Sequence, residues 1–139
     1  MPRSFPDSGV LIDAARAASP QRAQAAIYYL GDPSRTYLTS AFVRLEIVPK
    51  AGYSGRKEEL AFYESFFADP GIEWCRDWER MLAVADEEAL RHGLGALDAL
   101  HVAAAHLLDA DELVTTEGLD KPVHRTRLVQ VVYLYTTAT

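Results

Sequence analysis

Cysteine is almost missing from this sequence: Cys75 stands alone among 139 residues. An internal disulfide is thereby excluded, and a reducing cytoplasm is the expected compartment. Cys75 itself reads as a buried core thiol, because free cysteine behaves as a small hydrophobe. No apolar run approaches the roughly 18–20 residues that cross a bilayer, so no membrane contact is expected. The opening stretch MPRSFPDSG holds neither a long apolar core nor a small-residue cleavage site, so no secretory signal is expected. Internal repeats, low-complexity tracts and linker-like stretches are also missing, which leaves residues 1–139 as a single domain. The four histidines do not gather. His101 and His106 would lie about 140° apart around a helix and share no face, so they do not form a zinc site.

Positive charge is scarce too. Fourteen Lys and Arg stand against twenty Asp and Glu, a formal net charge of −6. That balance argues against a protein that coats nucleic acid electrostatically. It does not exclude a nuclease, because clustered carboxylates can bind cations that then meet the phosphate. What is present, 49% hydrophobic and 24% charged residues, is the composition of a folded globular chain.

The pattern along the chain predicts short strands alternating with helices. Strands are expected at 3–6, 36–39, 72–75, 112–116 and 128–135, the last two rich in β-branched and aromatic residues. Helices are expected at 10–18, 21–30, 41–48, 55–68, 78–92 and 97–108. Ser40 is a natural N-cap for the third helix, which Pro49 and Gly52 should stop. Gly93 and Gly95 should stop the fifth. This alternation implies an α/β fold, a parallel sheet covered on both faces.

In open parallel sheets, ligands gather at the carboxyl ends of the strands. Asp7 follows the first strand and Glu117 follows the Glu112-Leu-Val-Thr-Thr run, although turn chemistry and a solvated loop are the ordinary readings of each. Glu46 is harder to dismiss. On a helical wheel at about 100° per residue it falls between Phe42 and Val43, while Arg44 points away to water. A carboxylate on an apolar face needs a cation or hydrogen bonds to stay charged, unless it reaches out to solvent. Asp98 opens an Ala-rich helix after a Gly-rich break, as an N-cap or as a group brought near the strand ends. Together the four would repel one another unless protons or hard cations offset the charge. Oxygen-only ligands favour Mg²⁺ or Mn²⁺.

Four stretches then resemble the PIN-domain nucleases. Asp7-Ser8-Gly9-Val10-Leu11-Ile12 resembles their opening acidic motif. Ser40 to Glu46 resembles the short helix with the second acid. Leu97-Asp98 followed by an Ala-rich helix resembles the third, and Leu113-Val-Thr-Thr-Glu117 the fourth. All four occur in order over nearly the whole chain, and the length is most similar to VapC-type ribonuclease toxins of toxin–antitoxin pairs. Two positions depart from the pattern: Pro6 stands where an apolar strand residue is usual, and Glu117 where Asp is more frequent, with Asp120 as a nearby substitute.

The resemblance implies a three-layer α/β/α domain with four or five parallel strands. It further implies Mg²⁺ or Mn²⁺ held by Asp7, Glu46, Asp98 and Glu117, and hydrolysis of an RNA phosphodiester by metal-activated water. Ser8 and Thr116 would support the ligands by hydrogen bonding. Lys121, Arg125 and Arg127 would contact RNA phosphates, unless they are simply solvated charges. A cognate antitoxin and a homodimer are the implied protein partners. The competing readings are a PIN-like scaffold without catalysis and a PIN nuclease of RNA processing.

Overall fold

The computed structural model describes residues 1–16 and 19–135, so the part of the first expected helix at Ala17 and Ala18 lies outside the described residues. Among the described residues, five strands form one parallel sheet in the order β3-β2-β1-β4-β5. They are β1 (Arg3–Pro6), β2 (Thr36–Ser40), β3 (Glu73–Cys75), β4 (Glu112–Thr115) and β5 (Val131–Tyr133). Helices α1 (Ser8–Arg16) and α2 (Pro20–Leu30) join β1 to β2. Helices α3 (Ala41–Tyr53) and α4 (Lys57–Ala68) lead to β3, and α5 (Trp78–His92) and α6 (Ala96–Leu107) lead to β4. A 3₁₀ turn, Pro122–Arg125, precedes β5.

The chain steps outward from β1 through β2 to β3, then crosses back to build β4 and β5 on the other side of β1. Parallel crossovers are right-handed, so this reversal places α1 to α4 on one face and α5 and α6 on the other. The three-layer α/β/α expectation therefore holds. On the first face, Val10 and Ala14 of α1 and Ala26 and Tyr29 of α2 pack with Val114 of β4. On the second, Ala103, Ala104 and Ala105 of α6 are fully buried, and their small side chains let that helix lie close to the sheet. Phe5, Leu38 and Leu113 fill the middle of three adjacent strands with no exposed surface. Each such burial stabilises the fold by about 1.5–3 kcal/mol.

Pro6 sits inside the central strand without breaking it. Along β1 the backbone groups alternate sides: the Pro2 carbonyl accepts from Thr36, and the Arg3 carbonyl from Asp111. By that alternation, the missing Pro6 N–H falls on the β2 side. There the pairing ends at Ser4 with Tyr37 although β2 runs on to Ser40, because residue 6 has no N–H to donate, while pairing with β4 continues through Pro6 and Val114.

Several element ends differ from expectation, each for a local reason. Helix α3 does not stop at Val48 but runs through Pro49 to Tyr53. Pro49 removes one backbone bond, to Leu45, and both residues are exposed, while Ile47, Val48 and Ala51 stay buried and hold the helix down. Helix α4 begins at Lys57 rather than Gly55, because Gly55 adopts a left-handed φ of 68°. Helix α1 begins at Ser8, two residues early, with the Asp7 carboxylate accepting the Val10 N–H at 3.3 Å as an N-cap does. Strand β4 ends at Thr115, whose hydroxyl accepts the Glu117 N–H at 3.0 Å and starts a turn. The expected eight-residue last strand shrinks to Val131–Tyr133, since its one neighbour, β4, is only four residues long.

Candidate metal centre

Strand order reverses between β1 and β4, and in open α/β sheets that crevice, outside the carboxyl ends of the strands, is where ligands bind. Asp7 is the first residue beyond β1, and its N–H donates to the Val114 carbonyl of β4 at 2.9 Å. Glu46 lies in the second turn of α3, directly after β2. Ser40 caps that helix by accepting the Phe42 N–H at 3.2 Å, as the sequence implied. Asp98 is in the first turn of α6, three residues past the Gly95 cap, so it is not itself the N-cap.

The structure brings Asp7, Glu46 and Asp98 together around one side chain that the sequence excluded from a zinc site and left without another role, His101. This ring is 3% exposed. Its Nε2 lies 3.0 Å from Glu46 Oε1, and the ring also stands near Asp7 and Asp98. A second overlooked residue is Thr115. It is fully buried, and its hydroxyl donates to Asp7 Oδ2 while accepting from Glu117. The available signals were a histidine three residues after Asp98 on an otherwise apolar helix, and a hydroxyl at the inward-facing end of β4.

The supporting residues fall into distinct places. Ser8 is buried, and its hydroxyl helps to hold the Glu46 carboxyl below its ordinary value. Thr116 sits over Gly9: a Cβ at Gly9 would lie 2.2 Å from Thr116 Oγ1 and 3.3 Å from Asp7 Oδ1, so only glycine fits. Glu117 joins the site through its backbone. Its N–H donates to Thr115 and its carbonyl accepts from His124 Nε2 at 2.8 Å, but its half-exposed carboxylate bonds none of the other three acids. Asp120, Lys121, Arg125 and Arg127 are exposed on the following segment. Arg125 is partly occupied, donating to the His92 carbonyl at the end of α5 at 3.1 Å.

The electrostatics separate the two edges of the sheet. At the amino-terminal edge the acids are paired, Glu73 with Arg3, and Asp32 and Glu112 with Arg35. At the carboxyl edge, Asp7 and Asp98 have no Arg or Lys partner among the described residues. Burial pushes the Asp7 carboxyl up to about 6, against the pull of the Thr115 hydrogen bond. Burial, and then the nearby charge of Glu46, also raise Asp98. Glu46 is held below its ordinary value, chiefly by the His101 hydrogen bond. Three acids at one place, two of them disfavoured as anions, lack positive charge.

A hard divalent cation fits that lack. The donors are carboxylate oxygens, and Asp98, half-buried, accepts no hydrogen bond among the described residues. No three His, Cys, Asp or Glu side chains among the described residues stand close enough together to hold a metal ion as they are. The donor chemistry, rather than a finished cage, is what matches Mg²⁺ or Mn²⁺.

The family model for the PIN domain matches residues 4–120. The chain belongs to the PIN domain family. All four acids of this PIN domain, and His101 and Thr115 with them, fall inside the matched span. Two solved structures share its architecture. One is VapBC2 from Rickettsia felis bound to a DNA fragment from their promoter, with 17% identity, a TM-score of 0.68, and 93% of this chain and 96% of that one covered. The other is a toxin–antitoxin complex from Klebsiella pneumoniae, with 18% identity, a TM-score of 0.68, and 95% and 98% covered. At these identities the likeness is one of fold. No curated protein matches the chain in sequence.

Proposed function

We propose that this PIN domain is a divalent-metal-dependent endoribonuclease and the toxin of a toxin–antitoxin pair. The observation that carries the nuclease reading is the meeting of Asp7, Glu46 and Asp98 at the carboxyl ends of β1 and β4 without an ion pair to Arg or Lys among the described residues. These three would hold Mg²⁺ or Mn²⁺, with Glu117 or Asp120 closing the set. The bound ion would supply a water of lowered pKa and positive charge for the scissile phosphate. Thr115 keeps Asp7 in place, and Gly9 lets Thr116 approach without displacing Asp7. Lys121 and Arg127, exposed beside Glu117, are suited to RNA phosphates, which position the strand without reading its sequence.

The toxin reading leans on the two neighbours of like fold, each of which is part of a toxin–antitoxin complex. The surface is compatible with protein partners. An apolar groove of about 290 Å³ between α2 and α4 is lined by Ile27, Leu30, Phe62 and Phe66. Leu45 of α3, Trp78 and Leu82 of α5 and Leu97 of α6 are exposed apolar side chains, which suits a homodimer. Among the described residues no helix is long and apolar enough to cross a membrane.

The test is cleavage of labelled single-stranded RNAs by the wild type and Asp98→Asn, in Mg²⁺, Mn²⁺ or EDTA. Cleavage that needs the ion and is lost in the variant supports the reading. Cleavage that survives EDTA and the substitution overturns it, and no cleavage of any RNA favours the scaffold role.

A further inference from the structure

We propose that His101 is a positioning residue for Glu46, holding that carboxylate in place for the divalent cation; this rests on the metal-dependent reading above. His101 faces Glu46 from the opposite helix, with Nε2 3.0 Å from Oε1. Its other nitrogen, Nδ1, is buried and has no hydrogen-bond partner among the described residues. That asymmetry fixes the tautomer. A proton on Nε2 donates to Glu46 and leaves only a bare lone pair at Nδ1. A proton on Nδ1 alone would turn two lone pairs toward each other and strand an N–H in the core. His101 is therefore an Nε2–H donor whose one polar contact is Glu46.

The grip matters because of where Glu46 stands. It is only half-buried, on the far side of the site from α6, and glutamate has three rotatable bonds whose freedom must be lost before it can serve as a ligand. His101 holds it from α6, in the one hydrogen bond that the Glu46 carboxylate makes to a side chain among the described residues. Asp98 and His101 are three apart on α6 and so share its surface. One helix thus presents a ligand and, a turn later, the group that orients the ligand opposite. The ring itself is locked, 3% exposed and packed at a tilt of 38° against Phe5 of β1, with ring centroids 6.1 Å apart. Partners of this kind, hydrogen-bonded to metal ligands, typically cost 10–100-fold in metal affinity when removed.

The experiment is Mn²⁺ titration calorimetry on the full chain, comparing wild type with His101→Leu, His101→Gln and His101→Asn, alongside melting in EDTA. A glutamine amide nitrogen reaches the place of Nε2, whereas an asparagine amide reaches only that of Nδ1. The Leu and Asn variants are expected to bind Mn²⁺ at least about tenfold more weakly while remaining folded, and Gln to stay within about threefold of wild type. If Leu does not fold, the contrast between Gln and Asn decides. Undiminished affinity in folded Leu or Asn protein, or equal loss in Gln and Asn, overturns the positioning role while leaving the metal centre intact. A wild type that binds no Mn²⁺ overturns the metal centre itself, and the role of His101 with it.

Discussion

Asp7 serves the fold and the site in ways that pull against each other. Its carboxylate starts α1 by accepting the Val10 N–H and is tied to Thr115, yet it is buried beside Asp98. Its folded pKa, about 6, lies above the ordinary 3.8. An acid so raised weakens the metal-free fold at pH values above 6, and the cost is relieved as pH falls from 6 toward 3.8. The full difference is on the order of 3 kcal/mol. In EDTA, Asp7→Asn should therefore melt several degrees higher than wild type at pH 7.5, with the gap narrowed to about half by pH 5 and closing only as the pH nears 3.8. A constant gap between pH 5 and 7.5 would count against the raised carboxyl. Gly9 gives a steric counterpart. Gly9→Ala should destabilise the protein by about 1–3 kcal/mol in urea unfolding, because its methyl meets Thr116 Oγ1. Adding Thr116→Ala leaves that methyl 3.4 Å from the remaining Cβ, an ordinary contact, and should restore most of the loss. Strictly additive losses would refute the clash.

At the scale of elements, what was legible in the sequence followed local chemistry. Ser40 caps α3 and Gly93 stops α5 in a left-handed conformation with φ 70°. A Cβ at Gly93 would meet nothing closer than 3.8 Å, so the strain would be in the backbone alone. Gly93→Ala should cost about 1 kcal/mol in urea unfolding and leave Mn²⁺ binding unchanged. A loss of metal affinity would mean that the end of α5 is coupled to the site. Where expectation failed, the deciding contact was distant in sequence. Pro49 looked like a stop because its missing bond is a local property, but burial of Val48 and Ala51 against the core outweighs it. The last strand looked long because its residues favour β structure, but its length is set by β4. The acids of the site could be placed at strand and helix ends from the pattern alone. His101 and Thr115 could not be assigned, because their roles depend on Glu46 and Asp7, 55 and 108 residues away.

For the whole molecule, the net charge of −6 takes on meaning through its distribution. Arginines neutralise the acids at the amino-terminal edge of the sheet, and the carboxyl edge is left in deficit of cations. The strand reversal that creates the crevice between β1 and β4 also sends α1 and α3 to one face and α6 to the other, so three separate elements deliver the acids to one place. The exposed apolar residues of α3, α5 and α6 suggest pairing of two copies. Sedimentation at micromolar concentration should give about twice the 15.4 kDa of one chain, and a stable monomer would refute the homodimer. The most direct test of the assembled site is the free Mn²⁺ remaining in solution, followed by electron paramagnetic resonance at pH 7.5. Wild type is expected to remove the ion at sub-millimolar concentration, and Asp98→Asn to bind it at least about tenfold more weakly. Equal binding by the two proteins, or no binding by the wild type, would contradict a metal centre built on these acids.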